Sequence, residues 1–149
     1  MGDAFPDTQR VLLLEALSAL TPKGLDVALL GQSGSDAIDA AIKTAVLATK
    51  RTGVLTFSGS YHGLALGVLP MQSYNEAFGS PFEAITHPDV HNLPWGCRLE
   101  QVEAIFAQHA IGLLLVEPIL GRGGVHTAAP GWLKTISACA RRHGAVVAF

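Results

Sequence analysis

The alternation of strand-like and helix-like segments most constrains what this chain can fold into. Ile111–Val116 is an unbroken apolar run with the length of one buried strand. Weaker patterns predict strands at Asp26–Leu30, Val54–Phe57 and Ala145–Phe149, and residues 84–86 could form a short additional one. Apolar residues at helical spacing predict helices that contain Val11–Leu20, Ile38–Val46, Leu99–Phe106 and Trp132–Ala140. Such alternation predicts an α/β fold whose mostly parallel sheet carries helices on both faces.

Composition agrees with such a sheet and narrows the classes of function. Of the 149 residues, 49% are hydrophobic and 15% are charged, and the mean hydropathy is +0.35. A parallel sheet that is buried on both faces has this composition, and so does a piece of a larger protein. The net charge of −2 without a basic run argues against a nucleic-acid surface, and no apolar run reaches membrane-spanning length. Cys97 and Cys139 lack the spacing of a metal-binding pair, so we expect a reduced, cytoplasmic protein.

A loop of small residues, Gly31–Ala37, leads into the second predicted helix. The first amides of a helix have no acceptor within the helix, so they can bind a phosphate group. Gly34 would let the backbone approach an anion closely, while Ser33 and Ser35 could donate hydrogen bonds or cap the helix. An ordinary serine-capped helix start explains the same residues, so this loop alone leaves both interpretations open.

Other polar segments also follow predicted strands. The turn Tyr61–Gly63 comes after one strand, and Glu117 with the glycine loop 121–124 comes after the strongest one. Ligands of parallel sheets bind beyond the carboxyl ends of the strands, so we expect these segments and the serine loop to meet at one edge. Glu117 ends a buried strand, where a carboxylate without a partner would be costly. We therefore expect this carboxylate to have a partner.

Several familiar kinds of site are missing from the sequence. Gly31–Ser35 ends in serine, whereas the nucleophile elbow of a hydrolase needs glycine at that position. The sequence also lacks the Gly-Lys-Ser or Gly-Lys-Thr that ends the phosphate-binding loop of nucleotide-binding proteins. His87 and His91 are four residues apart, as metal ligands on a helix would be, but Pro88 disfavours a helix here. We therefore expect no metal site.

Taken in their order along the chain, these motifs resemble the class III pyridoxal-phosphate aminotransferases. The resemblance rests on Gln-Ser-Gly-Ser-Asp-Ala before a helix, Tyr-His-Gly after the next strand, Val-Glu-Pro-Ile before the glycine loop, and Pro-Gly-Trp-Leu before the last helix and strand. It implies the large domain of a fold-type I enzyme with pyridoxal 5'-phosphate as its cofactor. The intact protein would move an amino group from an amine or amino acid to a keto acid. It would act as a homodimer with the site at the subunit interface.

The resemblance also implies roles for five residues in cofactor binding. Gly34 and Ser35 would hold the phosphate group of the cofactor at the helix N-terminus. Tyr61 would stack on the pyridine ring with His62 beside it, and Glu117 would support the site. From the residues alone, Tyr61 could instead pack at the strand end, and His62 could be a structural hydrogen-bonding residue.

Two differences from the family pattern concern the reaction itself. Arg122 stands in a loop where many family members have glutamate, and it could bind an acidic substrate or simply face solvent. The family's catalytic lysine, and the aspartate that pairs with the pyridine nitrogen, have no match among these residues. The lysines that are present all lie on predicted helices or in the turn after one: Lys23, Lys43, Lys50 and Lys134.

We therefore expect residues 1–149 to form part of the cofactor-binding domain, without the N-terminal segment and the C-terminal half of the family pattern. Such a piece would not catalyse transamination alone. Two alternatives stay open at this point. One is an aminomutase or racemase that uses the same cofactor, and the other is a truncated, non-catalytic protein.

Overall fold

A computed structural model of the chain describes residues 7–149. These residues belong to two compact units, of which the first ends at Gly31 and the second begins at Gln32. All the candidate site residues lie in the second unit. Across residues 7–149, every helix is too short or too polar to cross a membrane.

The first unit contains helix α1 (Thr8–Leu20). The Asp7 carboxylate caps the helix by accepting a hydrogen bond from the Arg10 amide at 3.0 Å, and the predicted helix is confirmed. The predicted strand Asp26–Leu30 is wrong, because residues 25–31 have no regular secondary structure and Val27 is 93% exposed. A strand needs a hydrogen-bonding partner along its backbone, and an apolar run in the sequence does not supply one.

The second unit contains a four-stranded parallel sheet in the order β2-β1-β3-β6, and β4 and β5 form a small antiparallel hairpin. The predicted parallel sheet is therefore confirmed. The elements follow one another as α2 (Gly34–Thr49), β1 (Gly53–Phe57), β2 (Val90–Leu93), α3 (Leu99–Gln108), β3 (Ile111–Leu115), β4 (Ile119–Leu120), β5 (His126–Thr127), α4 (Trp132–Arg142) and β6 (Val146–Ala148).

Helices cover both faces of this sheet, as predicted. Successive side chains of a strand point to opposite faces, so Leu55 and Phe57 of β1 pack with α3 and α4, whereas Val54 packs with α2. Every residue of β1 and β3 is buried, which is typical of strands inside an α/β sheet. Cys139 is completely buried on α4.

The connection from β1 to β2 is irregular, and the short strand expected at residues 84–86 is wrong. Residues 84 and 85 belong to a 3₁₀ helix, Ser80–Ile85, with Pro81 in its first turn. Proline suits the start of a helical turn because its φ is fixed there, and it cannot donate to a strand ladder. The strand of this region lies later in the chain, where β2 pairs with β1.

Candidate functional site

The serine loop ends at the N-terminus of α2, and Ser33 caps this helix. Its hydroxyl oxygen accepts a hydrogen bond from the Asp36 amide at 3.2 Å, and the Asp36 carboxylate accepts one from the Gln32 amide at 3.0 Å. The amides of Gly34 and Ser35 have no acceptor among residues 7–149, and the space beside the Gly34 α-carbon is open. The capping role of Ser33 is confirmed, and the anion-binding role of the helix N-terminus stays a prediction.

Gly63 brings the turn after β1 against the first turn of α2. A Cβ atom placed on Gly63 would overlap the Ser35 hydroxyl, and the backbone φ of +119° is one that residues with a side chain rarely adopt. Glycine is therefore required here both by the close approach and by the backbone angle. The contact places Ser35 beside the turn Tyr61–Gly63 at the carboxyl end of β1.

Glu117 joins the loops that follow β1 and β3. Its Oε2 accepts a hydrogen bond from the Tyr61 amide at 3.1 Å, and its Oε1 accepts one from the Gly121 amide at 2.9 Å. Both bonds are charge-assisted, because the acceptor is a carboxylate. The prediction that this carboxylate has a partner is confirmed, and the two partners lie on different loops.

A close contact between two glycines holds the same loops together. A Cβ atom on Gly123 would lie 2.5 Å from the carbonyl oxygen of Gly59, so the two backbones touch where a side chain would not fit. The β4–β5 hairpin encloses this glycine loop. Together with the Gly63 contact, this packing confirms that the serine loop and the segments after β1 and β3 meet at one edge of the sheet.

Tyr61 and Arg122 are in contact at this edge. The guanidinium carbon of Arg122 lies 4.1 Å from the centroid of the Tyr61 ring, the distance of a cation–π contact. Tyr74 approaches Tyr61 edge-on, with 6.4 Å between the ring centroids. The Tyr61 side chain is partly exposed and Arg122 is exposed, so both are accessible to a ligand.

His62 is buried beneath the turn. Its Nε2 lies 3.2 Å from the hydroxyl oxygen of Thr56, and that hydroxyl also donates to the Met71 carbonyl at 3.3 Å. Burial lowers the pKa of His62 from 6.5 to about 4, although the nearby Glu117 carboxylate acts in the opposite direction. His62 is therefore a neutral imidazole at physiological pH.

Sequence reasoning missed Thr56, which is completely buried in β1. A signal was present, because Thr56 is a polar residue within the otherwise apolar run Val54–Phe57. A buried hydroxyl requires a partner, and its partners lie outside the strand, at His62 and Met71. They could be identified only once the chain had folded.

His87 and His91 bind protein atoms near the start of β2. The Nε2 atom of His87 lies 2.9 Å from the Thr52 carbonyl oxygen, and Nε2 of His91 lies 3.1 Å from Oδ1 of Asp89. Within residues 7–149, no cluster of histidine, cysteine, aspartate or glutamate has the arrangement of a metal site.

The family model described as aminotransferase class III matches residues 1–149. The chain belongs to the class III aminotransferase family. A relative at 32% identity is a putative LysW-aminoadipate semialdehyde/glutamate semialdehyde transaminase of Pyrobaculum aerophilum, where the match covers 97% of this chain and 37% of the relative. The 4-aminobutyrate aminotransferase GabT of Escherichia coli is 30% identical, over 78% of this chain and 30% of its own length.

Two solved structures of aminotransferases have the same fold. The ornithine aminotransferase of Toxoplasma gondii superimposes with a TM-score of 0.86 at 21% identity, over 99% of this chain and 36% of the other. An adenosylmethionine-8-amino-7-oxononanoate aminotransferase of Methanocaldococcus jannaschii gives a TM-score of 0.88 at 20% identity, again over 99% and 36%. The expected fold-type I architecture is confirmed. The chain spans about a third of the length of these relatives and structures.

Proposed function

We propose that residues 1–149 form part of the cofactor-binding domain of a pyridoxal-phosphate-dependent aminotransferase. The complete protein would transfer an amino group from an amine or amino acid to a keto acid. The observation that carries this proposal is the pair of hydrogen bonds that Glu117 accepts, which tie the Tyr61 turn, beside the α2 N-terminus, to the glycine loop. This arrangement occurs in a chain of the class III aminotransferase family.

The residues at the helix N-terminus fit the phosphate group of pyridoxal 5'-phosphate. The amides of Gly34 and Ser35 lack acceptors among residues 7–149, and the open space beside Gly34 admits an anion. We assign phosphate binding to these two residues.

We assign the aromatic part of the cofactor to the turn after β1. The partly exposed Tyr61 ring would stack on the pyridine ring, His62 lies beside it, and Glu117 holds the turn in place. When bound, the cofactor supplies an electron sink for the reaction at the amino carbon. The part of these three residues is to orient the ring and to fix the loops around it.

We further propose that the catalytic lysine, and the aspartate that pairs with the pyridine nitrogen, lie outside residues 1–149. The chain spans about a third of its relatives, which leaves most of such a protein to provide them. Residues 1–149 would then be a partial cofactor-binding domain that is inactive alone.

Arg122 is our candidate for recognition of a substrate carboxylate. Its guanidinium carbon lies 4.1 Å from the centroid of the Tyr61 ring, and the planar set of N–H donors on a guanidinium can bind a carboxylate through two hydrogen bonds. Glu117, the acidic residue of the neighbouring loop, is engaged by backbone amides and not by Arg122. The names of relatives include 4-aminobutyrate and 5-aminovalerate aminotransferases, and these substrates are amines with a carboxylate at the other end.

A binding experiment tests the cofactor assignment on the complete protein that contains this chain. Gly34→Asp would place a carboxylate where the phosphate is expected, and we predict at least about tenfold weaker binding of pyridoxal 5'-phosphate in equilibrium dialysis. Gly79→Asp is the control, since Gly79 lies outside the candidate site and a Cβ atom there would make only ordinary contacts, at 3.8 Å or more. Absence of binding by the unchanged protein, or equal loss in both variants, would refute the assignment.

A product analysis tests the reaction. Incubation with an amino donor and a keto acid should convert the keto acid to the corresponding amino acid, detected by chromatography. An isomerised amine would indicate an aminomutase, and loss of chirality would indicate a racemase.

We also propose a homodimer in the cytoplasm. The exposed leucines of α1, among them Leu12 and Leu20, would be covered in such an assembly, and Cys97 and Cys139 are free thiols, as in a reducing compartment. Light scattering of the complete protein tests the oligomeric state.

A further inference from the structure

Thr56 and His62 form a buried polar pair directly beneath the candidate site. Thr56 is 0% exposed and His62 is 9% exposed, and the pair lies on the face of β1 that carries α2. Water does not reach the Thr56 hydroxyl, so the hydrogen bonds of this hydroxyl must be satisfied within the protein.

The hydroxyl of Thr56 can donate only one hydrogen bond, and this determines the protonation of its neighbour. The hydroxyl oxygen lies 3.3 Å from the Met71 carbonyl oxygen, which can only accept. With its hydrogen directed to Met71, the hydroxyl must accept from His62 Nε2 at 3.2 Å. The arrangement that satisfies all three groups therefore puts the imidazole proton on Nε2.

The other ring nitrogen of His62 is then an unprotonated acceptor. No donor among residues 7–149 reaches Nδ1. Among the same residues, Ser137 Oγ is the side-chain polar atom that is both fully buried and without a hydrogen-bond partner, so Nδ1 of His62 is not fully buried. Nδ1 consequently retains access to solvent. It can accept a hydrogen bond from an ammonium or hydroxyl group that enters the site.

Three consecutive residues of the turn are held by three different contacts. The Tyr61 amide binds Glu117, the His62 ring binds Thr56, and Gly63 packs on Ser35. The His62 contact is the one that joins the turn to the interior of the sheet.

We propose that Thr56 is a positioning residue of the candidate site, which holds His62 in the tautomer with its proton on Nε2 and leaves Nδ1 as the acceptor for a bound ligand. This inference rests on the proposed function in one respect, namely that the ligand is the cofactor or substrate. The tautomer itself is independent of that assignment.

Nuclear magnetic resonance of the full chain, labelled with ¹⁵N at histidine, tests the tautomer without any ligand. Protonated and unprotonated ring nitrogens differ strongly in ¹⁵N shift, and the His62 signals are assigned by their loss in His62→Gln. We expect His62 Nε2 to carry the proton in about tenfold excess over Nδ1. Protonation at Nδ1 in the unchanged chain would overturn the proposal.

Substitutions at Thr56 separate positioning from packing. Thr56→Val keeps the shape but removes the hydroxyl, so the excess of the Nε2 tautomer should fall about tenfold, and Thr56→Ser should restore it. Thr135→Val is the control, because the Thr135 hydroxyl also donates to a carbonyl, that of Gly131, without a histidine partner. An unchanged His62 signal in Thr56→Val, or equal effects of valine and serine, would refute the role of the hydroxyl.

A second measurement connects this pair to the ligand. In the complete protein, Thr56→Val should weaken the binding of pyridoxal 5'-phosphate about tenfold while Thr56→Ser and Thr135→Val do not. A protein with the expected tautomer that binds no cofactor would refute the proposed function and leave the role of Thr56 intact. Unaltered cofactor binding in Thr56→Val, with a changed tautomer, would refute the link to the ligand.

Discussion

The Glu117 carboxylate is the connection whose loss should be most informative, because it accepts one backbone hydrogen bond from each of two loops. Glu117→Gln keeps the shape but replaces one acceptor oxygen by an NH₂ group that faces a backbone N–H. A hydrogen bond to a charged group contributes about 1.5–3 kcal/mol, and partial exposure of Glu117 places this site at the lower end. We expect the free energy of unfolding to fall by about 1–2 kcal/mol in Glu117→Gln and by about 2–4 kcal/mol in Glu117→Ala, which loses both hydrogen bonds.

Urea unfolding followed by tryptophan fluorescence measures this loss close to the site. The Trp95 indole donates to the Glu117 carbonyl at 3.3 Å, so its emission reports on the same loop. Glu103→Gln is the matched control, since Glu103 forms an exposed ion pair with Arg142 at 3.0 Å and such pairs contribute about 0–1 kcal/mol. If Glu117→Gln were no more destabilising than Glu103→Gln, at an unchanged denaturant slope, the carboxylate would not join the loops as described.

Further substitutions test the neighbouring contacts by urea unfolding. Gly63→Ala should lower the free energy of unfolding by about 3 kcal/mol or more. Gly96 also has a positive φ, of +76°, but has open space around it, so Gly96→Ala should lower the free energy of unfolding by only about 1–2 kcal/mol. Equal losses would contradict the close packing of Gly63 on α2. Ser33→Ala should lower the free energy of unfolding by about 1 kcal/mol, and Ser33→Asp, which can also cap the helix, should keep the original value. Equal stability of the alanine and aspartate variants would contradict the capping role of Ser33. In the folded chain the pKa of His62 is about 4, below its ordinary value of 6.5. Between these pH values His62 is therefore protonated more in the unfolded chain than in the folded one, so the free energy of unfolding falls by about 3 kcal/mol as the pH falls from 6.5 to 4. His62→Gln should flatten this pH dependence relative to the unchanged chain, and parallel curves would contradict the burial of a neutral imidazole.

Local patterns predicted the sheet and its helices well where the pattern and the final environment coincide. Ile111–Val116 is apolar throughout, and β3 is indeed buried on both faces. Asp26–Leu30 has a similar appearance but no ladder partner among residues 7–149, and residues 84–86 follow a proline that favours a 3₁₀ turn. Strand formation depends on pairing with a distant segment, and a single stretch of sequence contains no information on that partner.

The candidate site shows the same division. Its members were predicted from their positions after strands and from the order of the motifs, because strand topology brings such segments to one edge. How they touch was not predictable: Glu117 bonding two backbone amides, Gly63 against Ser35, and Arg122 over Tyr61. Thr56 was overlooked, since its role depends on a histidine and a carbonyl that approach it only in the folded chain.

The sequence by itself determined the main helices, the parallel sheet and the membership of the class III aminotransferase family. These properties arise from neighbouring residues or from motif order, which are written along the chain. Only the tertiary structure decided the partners of Glu117, the protonation of His62 and the place of Arg122. The physical reason is that hydrogen bonds, burial and ring contacts depend on distances across the fold, and these are set when the loops pack together at the sheet edge.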